Sequence, residues 1–203
     1  MKIVCVGRNY ADHARELGNE VPAEPVLFIK PDSAIYPHRY YYIPTFTTDL
    51  HYECEIVVRI DRVGKHIAPE FAHTYYSTIT LGIDFTARDL QNQLKAKGLP
   101  WEKAKGFDGA AVIGKFIPKE QLPPTDQLDF QLHIDGQLRQ SGHSAHMLHS
   151  IDQLIAHISR YFTLKKGDLI FTGTPAGVGP VAPGMHLTGT LCGHQILELF
   201  IKS

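Results

Sequence analysis

The sequence predicts an α+β, β-dominated domain. Short runs rich in Val, Ile, Thr and aromatic residues outnumber the stretches that have helical periodicity. The two kinds of segment do not alternate regularly, as they would in a Rossmann-type sheet. The first predicted strand is not followed by GxGxxG, and no Walker loop occurs. With 203 residues and no repeat or break in composition, the chain fits one domain over 1–203 that buries its own core.

The predicted strands contain β-branched or aromatic residues and are bounded by turn residues. They cover 3–6, 25–29, 52–60, 75–84, 111–113, 130–134, 169–171 and 196–200. Asp135-Gly136 follows the strand at 130–134 and is typical of a tight hairpin turn. The sheet is therefore expected to contain at least one antiparallel pair joined by two residues.

Three helices are predicted from capping residues and apolar spacing. The first has Asn9 as its N-cap, runs to about Leu17 and stops at Gly18-Asn19. The second covers 88–97 and is closed by a glycine. The third covers 150–161, where apolar residues recur at helical spacing.

Charge and hydropathy exclude several classes of function. The formal net charge is −1, which is not the basic footprint that phosphate contacts require, so nucleic acid is not expected as a partner. The same balance gives no reason to expect an anionic membrane surface. The opening MKIVCVGRNY has too short an apolar run for a signal peptide, and no run approaches transmembrane length. We expect a cytoplasmic protein in a reducing cytosol.

Glu53-x-Glu55 is the first candidate for chemistry. Residues two apart on a strand share a face, so the two carboxylates would lie side by side, with Cys54 on the opposite face. A solvated strand edge is the alternative, but the apolar run that follows indicates a strand entering a core. Asp84 ends another apolar run, where an acid is well placed to face a cleft. Three carboxylates suit a hard cation such as Mg²⁺ or Mn²⁺.

For several other polar residues, the sequence allows both a chemical and a purely structural role. His13 and Glu16 share a face of the first predicted helix, as a general base with its carboxylate or as an exposed ion pair. Lys105 is a candidate for binding a substrate oxyanion, and Lys103 is equally basic. The loop at 172–180 is rich in Gly and Thr and offers N–H and hydroxyl donors to an anion, or is simply a turn.

Seven segments follow one another along the chain: GRNYADHARELG, PVLFIKP, YECEIVVRI, GIDFTARDLQ, GLPWEKAKGFDG, DGQLRQSG and GDLIFTGTPAGVGP. In order and spacing, they resemble the fumarylacetoacetate hydrolase family over nearly the whole chain. The likeness is greatest to its small members of the acylpyruvate hydrolase and oxaloacetate decarboxylase type. Two segments depart from the pattern: the aromatic stretch 36–42 and the run 109–114, which lacks an expected proline.

The resemblance implies a role for each candidate residue. The family's metal-binding acids fall on Glu53, Glu55 and Asp84, and its His–Glu dyad on a mobile lid helix falls on His13 and Glu16. Its active-site lysine falls on Lys105 and not on Lys103. The remaining positions resemble the family's substrate contacts: Lys30, Arg88, Gln91 and Thr174. By the same resemblance we expect a mixed β-sandwich roll and an active homodimer.

The predicted activity is divalent-metal-dependent hydrolysis of the C–C bond of acylpyruvates, such as acetylpyruvate or fumarylpyruvate. A metal would chelate the carboxylate and 2-oxo oxygens, and His13 would activate water. Decarboxylation of oxaloacetate would use the same metal without the water. Two alternatives remain open: isomerisation or decarboxylation of an unsaturated 2-oxo diacid, and a catalytically silent metal-binding interaction module.

Overall fold

β-branched runs form the longest strands, as the sequence predicts. The computed structural model describes residues 1–16, 18 and 21–203. Its strands are β1 (Lys2–Gly7), β2 (Val26–Pro31), β3 (Ile35–Tyr36), β4 (Tyr40–Tyr42), β5 (Leu50–Tyr52), β6 (Cys54–Ile60), β7 (Tyr76–Asp84), β8 (Thr86–Ala87), β9 (Ala111–Ile113), β10 (Ile117–Pro118), β11 (Asp129–Ile134), β12 (Gln137–His143), β13 (Leu169–Phe171), β14 (Gly179–Pro180), β15 (His186–Leu191) and β16 (His194–Lys202).

The helices are short and few compared with the strands. They are α1 (Ala11–Glu16), α2 (Pro69–Ala72), α3 (Arg88–Ala96), α4 (Glu102–Lys105) and α5 (Ile151–Tyr161). Ser150 caps α5 in a capping box with Gln153, and Gly98 ends α3 with a φ of +62°. None of the helices in the described part of the chain is long and apolar enough to cross a membrane.

The strands form three sheets. The largest has the order β2-β1-β13-β6-β7-β9-β3, with β10 also paired to β7. The second has the order β12-β11-β15-β16-β4, and the third is the small β14-β5-β8 sheet. Apolar residues of the two larger sheets join in one hydrophobic core, while the alternate residues of β1, β6 and β13 form a second, smaller cluster. The predicted β-dominated α+β class and mixed sheets are confirmed.

Two local predictions are corrected. The strand expected over 52–60 is broken at Glu53, because β5 pairs with β14 and β8 whereas β6 pairs with β13 and β7. Asn9 does not cap α1, which begins at Ala11. Its side chain instead donates to the carbonyls of His149 and Thr172. The predicted helix end at Leu17 and the stop at Gly18-Asn19 lie partly outside the described residues.

The aromatic stretch 36–42 connects the two larger sheets. β3 pairs with β9 in the first sheet and β4 pairs with β16 in the second. Tyr41 is 1% exposed, and its ring lies 4.8 Å from that of Tyr36, centroid to centroid. The segment therefore contributes to the core where the chain crosses between sheets, and it does not line the acid cleft described below.

Candidate active site and metal centre

The sheet topology brings four separate parts of the chain to one edge. β1 and β13 are parallel, so Arg8 after β1 and residues 172–174 after β13 lie at the same edge. β6 runs antiparallel to β13, and β7 antiparallel to β6, so the start of β6 and the end of β7 also lie there. This register places Glu55 and Asp84 beside the loop that follows β13.

Glu53, Glu55 and Asp84 converge in this cleft. One carboxylate oxygen from each lies within 4.8 Å of those of the other two. All three residues are buried, with 5% or less of their surface exposed, yet all three line the cleft. Cys54, between the two glutamates, packs in the hydrophobic core instead. The three carboxylates are therefore a candidate metal centre.

Three buried cations surround the acids. Lys105 Nζ donates to Glu53 Oε2 at 2.7 Å and to Asp84 Oδ2 at 3.0 Å. Arg88 donates to Glu53 Oε1 at 2.5 Å, and Lys30 Nζ lies 2.7 Å from Asp84 Oδ1. Lys103, the other candidate, is exposed on α4. Position and burial thus separate two lysines that charge alone could not distinguish.

The environment affects the two glutamates in opposite directions. Burial would raise the pKa of Glu53, but Lys105, Arg88 and His13 outweigh it and hold that pKa well below its ordinary value. Burial, together with the charges of Asp84 and Glu53, raises the pKa of Glu55 well above its ordinary value. Burial would lower the pKa of Lys105, but Asp84 and Glu53 raise it. Negative charge is therefore least compensated at Glu55.

The donor set fits a hard divalent cation. It consists of oxygen atoms only, from three buried carboxylates. Within the described residues Asp84 Oδ1 accepts no hydrogen bond, although the Lys30 ammonium lies close to it. Glu55 receives one backbone N–H, from Gly173, at 2.7 Å. Mg²⁺ and Mn²⁺ both accept such oxygen ligands and keep positions open for water or a chelating substrate.

The loop after β13 holds the acids through its backbone. Gly173 adopts a φ of +97°, and a Cβ there would lie 2.7 Å from the Cβ of Asn9, so glycine allows the close approach that brings its N–H to Glu55. The hydroxyl of Thr174 donates to the carbonyl of Cys54 and accepts from Gln140. This loop therefore acts partly as a brace for the strand that bears Glu55.

His13 and Glu16 form the expected pair on α1. His13 Nδ1 lies 3.3 Å from Glu16 Oε2, and Glu16 Oε1 accepts the N–H of Gly177 at 3.0 Å. His13 is 5% exposed and lines the acid cleft, whereas the Glu16 side chain is 33% exposed. The pair is not a fully exposed surface ion pair, because its imidazole is buried beside Glu53.

The four expected substrate contacts are placed differently. Arg88, Gln91 and Thr174 line the cleft, and Gln91 accepts a hydrogen bond from Arg88 at 2.6 Å. Lys30 is fully buried, does not line the cleft and donates to the carbonyl of Lys105. Its ammonium group lies between Asp84 and the carbonyl of Lys105, and the expected contact of Lys30 with substrate stays a prediction. Its geometry is that of a positioning residue.

Several residues of the cleft were not identified from the sequence. Arg8, Lys95, Phe28 and Trp101 also line it. Lys95 could have been found from its spacing, because positions 88, 91 and 95 lie on one helical face. Gln140, on the second sheet, could not, because its amide reaches Cys54 and Thr174 only through the packing of the two sheets.

A family model described as fumarylacetoacetate (FAA) hydrolase C-terminal matches residues 2–196. The chain belongs to the fumarylacetoacetate hydrolase family. The resemblance inferred from the ordered motifs is thereby confirmed, and with it the family's mixed β fold.

Relatives in the fumarylacetoacetate hydrolase family are similar over nearly their full length. Mitochondrial oxaloacetate tautomerase FAHD1 of Bos taurus is 44% identical over 201 residues, which are 98% of this chain and 90% of that protein. Mitochondrial oxaloacetate decarboxylase of Dictyostelium discoideum is 45% identical over 90% of this chain and 85% of its own. Fumarylpyruvate hydrolase of Pseudomonas aeruginosa, solved with Mn²⁺ and pyruvate, has a TM-score of 0.94 at 36% identity, covering 100% of this chain and 89% of its own. These relatives are enzymes.

Proposed function

We propose that this protein is a divalent-metal-dependent enzyme of small 2-oxo acids, and that its main reaction is keto–enol tautomerisation of oxaloacetate. The observation that carries the proposal is the convergence of Glu53, Glu55 and Asp84 with Lys105 and His13 in one cleft. The choice of oxaloacetate is supported by the two relatives that are similar to this chain over most of their length, an oxaloacetate tautomerase and an oxaloacetate decarboxylase. The acylpyruvate hydrolysis expected from the resemblance becomes the second candidate.

Glu53, Glu55 and Asp84 would hold the metal, either Mg²⁺ or Mn²⁺. When bound, such an ion supplies Lewis-acid polarisation of the 2-oxo group. Lys105 would remain protonated, because Asp84 and Glu53 raise its pKa, and would stabilise the negative charge that develops on the substrate oxygen. His13, oriented by Glu16, would remove the proton from C3 of the keto form, and the oxygen of the resulting enolate would take a proton from solvent to give the enol. In the reverse direction the enol would lose its O–H proton to solvent, and protonated His13 would return a proton to C3.

The second candidate, acylpyruvate hydrolysis, requires one further step. His13 would take a proton from water, and the resulting hydroxide would attack the distal carbonyl carbon. The C3–C4 bond would then break, and C3 would be protonated to give pyruvate. The solved fumarylpyruvate hydrolase, which contains pyruvate, favours keeping this candidate. The expected homodimer and cytosolic location belong to the same proposal, as does the absence of nucleic-acid and membrane partners.

The test is a comparison of three reactions with one preparation of the protein at fixed pH and Mg²⁺ concentration. The first reaction is the interconversion of enol and keto oxaloacetate, the second is decarboxylation of oxaloacetate, and the third is hydrolysis of acetylpyruvate and fumarylpyruvate. Each rate is compared with the rate at the same Mg²⁺ concentration without protein. We expect kcat/KM for tautomerisation to be the largest.

Matched variants connect the activity to the cleft. Lys105→Met should abolish most of the activity, while Lys103→Met, which changes an exposed lysine on the same short helix, should leave it unchanged. If the protein does not accelerate enol–keto interconversion above the Mg²⁺ blank, the proposed main reaction is wrong. Efficient acylpyruvate cleavage in the same assay would then favour the second candidate.

A further inference from the structure

Two cations in the cleft have no role in holding the acids. Arg8 follows β1 and Lys95 lies in the last turn of α3, and both line the same cleft as the three carboxylates. In the described part of the chain, neither side chain forms an ion pair with a carboxylate at 4.0 Å or less. Lys30, Lys105 and Arg88 differ from them, because each lies against Glu53 or Asp84.

The backbone at Arg8 is unusual for a bulky residue. Its φ is +63°, in the left-handed region that such side chains rarely adopt. The next residue, Asn9, is held by hydrogen bonds to His149 and to Thr172 in the loop that braces the acids. The chain therefore leaves β1 through a constrained turn, and strained conformations of this kind are concentrated at ligand-binding positions.

Lys95 lies in a concentration of positive charge. Burial and the charges of Arg8 and Arg88 lower its pKa although Glu53 opposes them, so both arginines are close enough to act on the Lys95 ammonium. Its ammonium lies 5.8 Å from the centroid of the Trp101 ring, which also lines the cleft. Bringing like charges together costs free energy, and an anion bound between them would relieve that cost.

We infer that Arg8 and Lys95 form a subsite for the distal carboxylate of a dicarboxylic 2-oxo acid. This inference deepens the proposed function and rests on it for the position of the substrate's head. The acids and their metal would take the 1-carboxylate and 2-oxo group, and the two cations would take the carboxylate at the other end. Diacids would thus be selected over 2-oxo acids with a neutral distal group.

An apolar alternative exists beside this subsite. Phe28, Trp101 and Lys105 also border a groove lined by Val26–Ile29 and Gly98–Glu102. A substrate with a long apolar acyl group would enter that groove and would leave Arg8 and Lys95 without an anion. The two arrangements predict opposite preferences for a distal charge, so ligand binding can decide between them.

The experiment compares malate with lactate, which differ by a distal carboxylate and lack the reactive 2-oxo group. Calorimetry in Mg²⁺ measures the Kd of each ligand in the wild type and in the variants Lys95→Met, Arg8→Gln and Lys95→Arg. We expect the wild type to bind malate about 10–100 times more tightly, the usual effect of hydrogen bonds to a charged group. Lys95→Met and Arg8→Gln should lose most of that preference, and Lys95→Arg should keep it.

Lys97→Met is the matched control, because Lys97 is exposed at the end of the same helix and does not line the cleft. Equal binding of malate and lactate by the wild type would overturn the inference, as would a malate preference that survives Lys95→Met. Binding is measured without turnover. The malate preference can therefore be interpreted even if the protein does not tautomerise oxaloacetate. Conversely, loss of the subsite would leave the proposed reaction standing if the wild type tautomerises oxaloacetate.

Discussion

At the scale of single residues, the cleft shows how position determines the role of an ionisable group. Glu53 and Glu55 are identical residues two positions apart. Glu53 has two cationic neighbours and Glu55 has a backbone N–H. The pKa of Glu53 is therefore lowered and that of Glu55 raised. A metal would make the larger difference at Glu55, because no side-chain cation within hydrogen-bonding distance neutralises it among the described residues.

The His13–Glu16 pair gives a prediction at this scale. His13→Ala should reduce tautomerisation or acylpyruvate hydrolysis by roughly two to four orders of magnitude, the scale of a lost general base. Glu16→Gln should reduce the same reaction less, because the amide keeps a hydrogen bond to the imidazole but loses the charge that supports its protonated form. Decarboxylation of oxaloacetate should fall less in both variants, since it needs no proton removed from C3 or from water. Steady-state kcat/KM for each reaction provides the measurement.

The control for this series is Asp12→Asn, because the Asp12 side chain is 80% exposed on the same helix. Metal affinity, measured by calorimetry, should hardly change in any of these variants. If His13→Ala retains normal turnover, the imidazole has no part in proton transfer. If all reactions fall by the same factor, the pair acts by closing or shaping the cleft.

At the scale of secondary-structure elements, β13 supports the site from inside the large sheet. It pairs with β1 on one side and with β6 on the other. Asp168, just before β13, accepts the backbone N–H groups of Lys2 and Lys165 and pairs with the Lys2 ammonium. This one carboxylate ties the beginning of β1 to the turn that leads into β13, so the two strands that lead to Arg8 and Gly173 are joined at their starts.

Asp168 gives a prediction about stability and pH. Burial would raise its pKa, but the hydrogen bonds from Lys2 and Lys165 lower it below the ordinary value. A lowered pKa in the folded state means that the carboxylate stabilises the fold at pH values above about 4, its unfolded pKa, and that this contribution is lost as pH falls through the folded pKa. Asp168→Asn should lower the free energy of unfolding at pH 7 by about 1–3 kcal/mol.

The measurement is the free energy of unfolding in urea, for the wild type and for Asp168→Asn. It is made at several pH values from 7 down to the lowest pH at which the protein is folded. The difference between the two proteins should shrink as pH falls below about 4, because Asp168 then takes up a proton in the unfolded wild type while it is still ionised in the folded protein. Asp126→Asn, which changes an exposed aspartate, should match the wild type throughout. A difference that is constant with pH would show that charge at Asp168 does not matter.

At the scale of the whole molecule, the site depends on contacts between distant parts of the chain. The buried Gln140 belongs to the second sheet, yet its amide accepts the N–H of Cys54 and donates to Thr174 and Pro175 around the acids of the first sheet. The core between the sheets and the cleft are therefore coupled. A ligand that binds the acids should stabilise the entire fold, because unfolding separates its binding groups.

Metal removal tests this coupling. Chelation with EDTA should abolish activity and lower Tm, and Mg²⁺ or Mn²⁺ should restore both. Saturation at about 100 times Kd contributes roughly 2.7 kcal/mol, which corresponds to a rise of about 5–11 °C for a domain of this size. Glu55→Gln should remove the metal-dependent rise, while Glu70→Gln, an exposed change on α2, should keep it. Full turnover and an unchanged Tm in exhaustively chelated protein would contradict the metal centre.

The sequence by itself determined the fold class and the family, because the motifs occur in a fixed order. It located β1, β2, β6, β7, β9, β11, β13 and β16 and the helices α1, α3 and α5, because hydrophobic periodicity and turn chemistry are local properties. It also indicated Glu53, Glu55 and Asp84, since closely spaced acids beside apolar runs are costly without a cation. Only the tertiary structure decided which basic residues meet them. It buried Lys30 behind Asp84, brought Gln140 from the other sheet and added Arg8 and Lys95 to the cleft. Those contacts follow from strand pairing and packing between residues distant in sequence. Local sequence patterns contain no information about such contacts.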